Sequence, residues 1–68
     1  MFKLISKNGL YGIENGEEIA VPILYKTGLL AIKELEYFLK ENKKMKFLEF
    51  AYWDIQIAKI TDKLKRQL

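Results

Sequence analysis

The stretch Asn8-Gly9-Leu10-Tyr11-Gly12-Ile13-Glu14-Asn15-Gly16-Glu17-Glu18-Ile19-Ala20-Val21-Pro22-Ile23-Leu24-Tyr25-Lys26-Thr27-Gly28 decides the fold. Apolar residues alternate along it, and two Asn-Gly pairs interrupt it, the strongest short-range sign of a β-hairpin. Past Thr27-Gly28 the apolar spacing changes to steps of three and four that run almost to Leu68. The expectation is a single α+β domain spanning residues 1–68. A three-stranded antiparallel β-meander over 1–25 is followed by helices over 27–42 and 46–67, packed on one face of the sheet in the order βββαα.

The turn chemistry sets the register. As a two-residue type I′ loop, Asn8-Gly9 places Lys7 opposite Leu10, Leu4 opposite Ile13 and Lys3 opposite Glu14, with Phe2, Leu4, Tyr11 and Ile13 on one face. A two-residue Asn15-Gly16 loop would set Glu14 against Glu17. A three-residue Glu14-Asn15-Gly16 loop, with Gly16 in the left-handed position of a bulge, is therefore expected instead. That register sets Ile19 opposite Tyr11, brings Ile19, Val21 and Ile23 onto the apolar face, and leaves the outer face small or charged. Pro22 has no N–H to give a ladder, so the third strand must be an edge there.

Outward from the turns, Thr27 suits a helix N-cap, where its hydroxyl oxygen accepts from an unpaired N–H of the first turn. Ala31, Ile32, Leu35, Phe38 and Leu39 form one apolar stripe, and Asn42-Lys43-Lys44 reads as the helix end. Phe47, Leu48, Phe50, Ala51, Tyr52 and Trp53 are apolar on every face, so periodicity alone does not separate helix from strand. The steps through Trp53, Ile57, Ile60 and Leu64 favour one long helix from about Lys46. A fourth strand over 46–53 is the alternative.

At 68 residues, folding hides only about 60% of the surface that the unfolded chain exposes. The chain has no Cys for a disulfide and no His, so the common zinc ligand sets are ruled out; no metal site and no cofactor are expected. Half the residues are apolar and 13% aromatic. Stability then rests on large aromatics, a partner surface or self-association, which makes a homodimer one of the expected states. No run approaches the roughly 20 apolar residues of a membrane span. The opening Met1 to Lys7 is too short and interrupted for a secretory signal. The expectation is a cytoplasmic protein with no membrane partner.

The catalytic inventory is thin. Without His or Cys, a common nucleophile–base pair is not available, and Glu14, Glu17 and Glu18 cluster at an exposed turn rather than in a cleft. None of the four glycines precedes the Gly-Lys-Ser/Thr of a phosphate loop. The chain is therefore expected not to be an enzyme, and its charge and aromatics point to binding. Residues 1–39 carry four lysines against five glutamates, a balance of −1. Residues 40–68 carry eight basic residues against four acids, a balance of +4. Lys59, Lys63 and Arg66 share a helical stripe with Lys65 near it, the footprint expected of a helix that contacts a phosphate backbone. The same stripe also reads as an ordinary solvated face. Phe47, Phe50, Tyr52 and Trp53 crowd one helix, more aromatic surface than a small sheet covers. Phe50 and Trp53 are expected mainly in the core. Tyr37, Tyr52 and, in part, Trp53 are the candidate anchors for a partner.

Residues 8–25 resemble one unit of the WG-type β repeat, in which an aromatic-Gly pair, a turn Gly, a Pro and a Tyr recur in order. Tyr11-Gly12, Gly16, Pro22 and Tyr25 take those places over about a quarter of the chain. Tyr stands for the usual Trp, and there is a single copy where the family forms arrays. The resemblance implies β-structure and, at most, a role in interaction. The functional expectation is a small non-enzymatic module that covers a surface on a larger protein. In size and type it is like the inhibitors and adaptors of phages and mobile elements, anti-CRISPR proteins among them. Its contacts are expected at Tyr37 and Tyr52 and at the free edge of the sheet. The alternatives are a nucleic-acid-binding regulator using the basic C-terminal helix and a homo-oligomeric structural protein.

Overall fold

A computed structural model describes residues 1–42 and 47–68, with side chains through Glu41 and from Tyr52 onward. Strands β1 (Phe2–Lys7), β2 (Leu10–Asn15) and β3 (Glu18–Tyr25) precede helices α1 (Gly28–Asn42) and α2 (Phe47–Lys65). The strands form one antiparallel sheet in the order β1-β2-β3. This is the expected βββαα architecture. Residues 47–53 are helical, so no fourth strand forms there. The expected start at Lys46, the Lys43-Lys44 end of α1 and the core position of the Phe50 side chain lie outside the described residues.

The first hairpin follows its turn chemistry. Asn8 and Gly9 adopt φ of 54° and 77°, the left-handed pair of a type I′ turn. Lys3, Leu4 and Lys7 lie opposite Glu14, Ile13 and Leu10. Strand β1 is thereby fixed with Phe2 and Leu4 toward the core.

The second hairpin departs from expectation. Asn15 pairs with Glu18 and Glu14 with Ile19, so the loop is the two-residue Gly16-Glu17. Only Gly16, at φ 65°, has a positive φ there, as in a type II′ turn, which takes Gly at its first central position. The pairing then shifts twice, to Ile13 with Val21 and to Tyr11 with Tyr25. Ile19 therefore faces Glu14 rather than Tyr11, and it is 57% exposed instead of joining the core. An extra residue in β3 at Ala20 returns Val21 to the inner face beside Ile13.

Gly12 makes the second shift feasible. A Cβ at Gly12 would stand 2.6 Å from the Val21 carbonyl oxygen and 2.9 Å from both Cα and Cγ1 of Ile23. Tyr11 and Ile13 face the core, so the Gly12 Cβ direction is outward. Ile23 thus crosses Gly12 on the face turned away from the helices, not on the apolar face expected of it. Together with half-buried Ile5 and Leu10 and exposed Ile19, it makes that outer face partly apolar rather than small or charged. Pro22 is exposed on β3, an edge strand as its missing N–H requires.

Thr27 caps α1: its Oγ1 accepts from the Leu30 N–H at 3.2 Å and its carbonyl from the Ala31 N–H at 3.3 Å. Helix α1 packs on β2 and β3, and α2 packs on α1 and β1. The core consists of Ile13 and Val21 from the sheet, Ala31, Ile32 and Leu35 from α1, and Leu64 from α2, with Ile57 buried as well. Phe38, expected in this stripe, is half-exposed at the stripe's margin, while Leu39 beyond it packs against the core. Thr61 is buried on α2 and is satisfied locally, its hydroxyl donating to the Ala58 carbonyl at 3.1 Å.

Two glycines and a cap give separable stability effects, each readable by urea unfolding. Gly12→Ala meets backbone atoms and is expected to destabilise by about 1–3 kcal/mol. Gly16→Ala has open space around it, and only the left-handed backbone penalises it, by about 1–2 kcal/mol. Thr27→Ala removes the cap and is expected to lose about 1 kcal/mol.

Candidate functional site

The sheet is shorter than α2, the longer of its two helices. Six-residue strands span about 20 Å and the 19 residues of α2 about 28 Å. The fully buried apolar residues of α1 end at Leu35, and those of α2 begin at Ile57 among the described side chains. Leu39 of α1 still packs against the core, so it is the N-terminal part of α2 that projects, and the body measures 42 × 20 × 19 Å.

Two of the candidate aromatics, Tyr52 and Trp53, stand on this part of α2. Tyr37 is 62% exposed, Tyr52 59% and Trp53 39%. Tyr52 and Trp53 pack edge to face, with ring centroids 6.0 Å apart and planes at 82°, a geometry suited to the ring quadrupoles. Trp53 is thus held by its neighbour rather than sealed in the core. Tyr37 belongs to a different surface. Glu36 and Lys40 mark the side of α1 that faces α2, since they line a groove with Asp54, Ile57, Ala58 and Thr61. Tyr37 lies about 100° further round α1 from Glu36, turned away from the groove.

The basic residues separate in the same way. Lys59, Lys63 and Arg66 line one shallow depression together with Asp62. Lys65 instead lines the groove between the helices, because it lies about 160° from Lys63 at two residues' spacing. In that groove Lys40 donates to Glu36 Oε1 at 2.9 Å. The hydrogen bond and then the charge of Glu36 raise the Lys40 pKa against a smaller lowering by desolvation, and Asp54 adds to the rise. The pair therefore persists through neutral pH, and on the alkaline side it is lost as Lys40 deprotonates.

Neither edge of the sheet offers an uninterrupted ladder to an incoming strand. At mid-strand in β1, the outward Leu4 N–H donates to Gln67 Oε1 at 3.0 Å. Strand β3 carries Pro22 and both register shifts. Leu68 lies against Gly28, where a Cβ would meet it and where Leu4 Cδ2 would be 3.1 Å away. The residues that follow α2 thus close over β1, a covering that nothing in local periodicity marks, because Gln67 and Leu68 lie past the helix. The outer-face isoleucines were also missed.

Among the described residues no group of three acidic side chains stands where it would hold a metal ion. No helix among them is long and apolar enough to cross a membrane. The chain matches no protein family, no curated protein and no solved structure.

The exposed tyrosines are clean probes of binding. Tyr37→Ala is expected to change stability by no more than about 0.5 kcal/mol, and Tyr52→Ala, which removes the edge-to-face contact with Trp53, by about 0.5–1 kcal/mol. Trp53→Ala, which removes a more deeply covered ring and its edge-to-face contact, should destabilise by more than about 1 kcal/mol. Thermal or urea unfolding checks the order.

Proposed function

We propose that this chain is a small non-enzymatic protein-binding module that covers a surface on a larger partner, as inhibitors and adaptors do. The observation that carries the reading is the exposed aromatic side chains: Tyr52 and Trp53 stand on α2 ahead of its first fully buried residue among those described, Ile57, and Tyr37 on the face of α1 turned away from the helix groove. Exposed Tyr and Trp held on rigid helices supply large contact area at low entropy, the composition of interface hot spots. The interrupted sheet edges support the same surface, since they disfavour strand addition as the route of binding.

A second reading, a nucleic-acid-binding regulator, is favoured by one observation, the convergence of Lys59, Lys63 and Arg66 on one depression. Asp62 in that depression weakens it. It predicts a mobility shift at low salt, with a log–log salt slope that falls by about one on replacing Lys63 or Arg66. No shift at low salt would sink it.

The first reading is tested by affinity capture from the native host with the tagged wild-type chain beside Tyr37→Ala and Tyr52→Ala. A partner retained by the wild type is expected to be weakened tenfold or more by at least one variant, a loss of about 1.4 kcal/mol. Equal retention by both variants would place binding elsewhere.

A further inference from the structure

Tyr52, Lys59, Lys63 and Arg66 are separated by seven, four and three residues. At 3.6 residues per turn this spacing sets them along one face of α2, with Gln56 between the ring and the first lysine. All four are exposed, whereas Ile57, Thr61 and Leu64 are buried on the opposite face. The result is a straight stripe about 21 Å long, aromatic at one end and cationic at the other. Ile55 flanks the aromatic end, exposed, and Asp62 borders the cationic end.

We infer that the partner of this module presents an acidic groove to the outer face of α2, with an apolar pocket for Tyr52 and carboxylates for Lys59, Lys63 and Arg66. The inference rests on the protein-binding reading and names the chemistry of its partner. Charge complementarity selects the occupant: three cations against the single Asp62 attract carboxylates and repel a basic surface. The aromatic end adds what charge alone lacks, an anchor that fills a pocket and excludes water. Three cations interrupted by Asp62 supply only a weak electrostatic hold on a duplex, because that contribution grows with the number of phosphates neutralised. A helix face with anchors at this spacing fits a groove in a folded protein, and a flexible peptide that brings the same carboxylates and apolar side chain to the helix serves as its probe.

The test is selection from a displayed random-peptide library on the immobilised full chain. Parallel selections use Tyr52→Ala and the triple variant Lys59→Glu/Lys63→Glu/Arg66→Glu, each shown to be folded by circular dichroism. Enriched peptides are expected to be net acidic with at least one large apolar residue. The triple variant should reduce their binding at least tenfold and Tyr52→Ala severalfold, while Lys59→Gln/Lys63→Gln/Arg66→Gln falls between wild type and charge reversal. Peptides without acidic bias, or bound equally by the triple variant, would overturn the acidic groove and leave a protein-binding module standing. No enrichment by the folded wild type would count against the module itself. Displacement of enriched peptides by a single-stranded oligonucleotide, at concentrations where a Glu-rich peptide of equal charge has no effect, would overturn the inference in favour of nucleic acid.

Discussion

The structure depends on a mismatch of lengths. Three strands of six to eight residues offer a platform about 20–26 Å long, while α2 alone reaches about 28 Å. Burial follows the platform: Ala31, Ile32 and Leu35 are covered at one end of α1, as are Ile57, Thr61 and Leu64 at the C-terminal end of α2. Tyr52 and Trp53, at the other end of α2, remain uncovered for this geometrical reason, whereas Tyr37 is exposed because it turns away from the helix groove on α1. Apolar area left in water forgoes roughly 25 cal/mol per Å², so a small domain that keeps Tyr37, Tyr52 and Trp53 partly exposed gives up stability that a partner's surface would restore.

Within the sheet, Gly12 reconciles two patterns that otherwise conflict. Gly16-Glu17 as a two-residue turn sets Glu14 against Ile19, and a straight continuation would bring Ala20 rather than Val21 against Ile13. The extra residue at Ala20 corrects the face, and the close passage of Ile23 over Gly12 absorbs the second shift, so that Tyr11 meets Tyr25. Strand β3 then ends where Thr27 can cap α1 over β2 and β3. One missing side chain thus sets where the helices begin.

This is also the line between what was legible in the sequence and what was not. The first hairpin, the N-cap, the helix order and the buried stripe Ala31-Ile32-Leu35 follow from local rules, because each is decided within one turn of chain. The second hairpin is not, since two loop lengths satisfy Asn15-Gly16-Glu17 locally and the choice depends on packing across the sheet. The Ile19 and Ile23 misplacements follow from it. At the candidate site, helical periodicity grouped Lys59, Lys63 and Arg66 correctly, while proximity in sequence misplaced Lys65, which turns into the groove between the helices. Trp53 was expected mainly inside because it falls on the apolar stripe, but the stripe outruns the sheet beneath it.

The edges of the sheet bear on which surface is left for binding. An edge strand with free N–H groups is the commonest invitation to a second chain. Here Gln67 accepts from the outward N–H of Leu4, and Lys3 and Lys7 add charge to the same strand. At the other edge, Pro22 and the bulged register of β3 break the ladder. A sheet closed in this way resists self-association through its edges, whereas the outer face of α2 carries no such protection. The residues that follow α2 therefore close the edge of the sheet, while the outer face of α2 leaves its aromatic and cationic side chains exposed, which is where the proposed partner would bind.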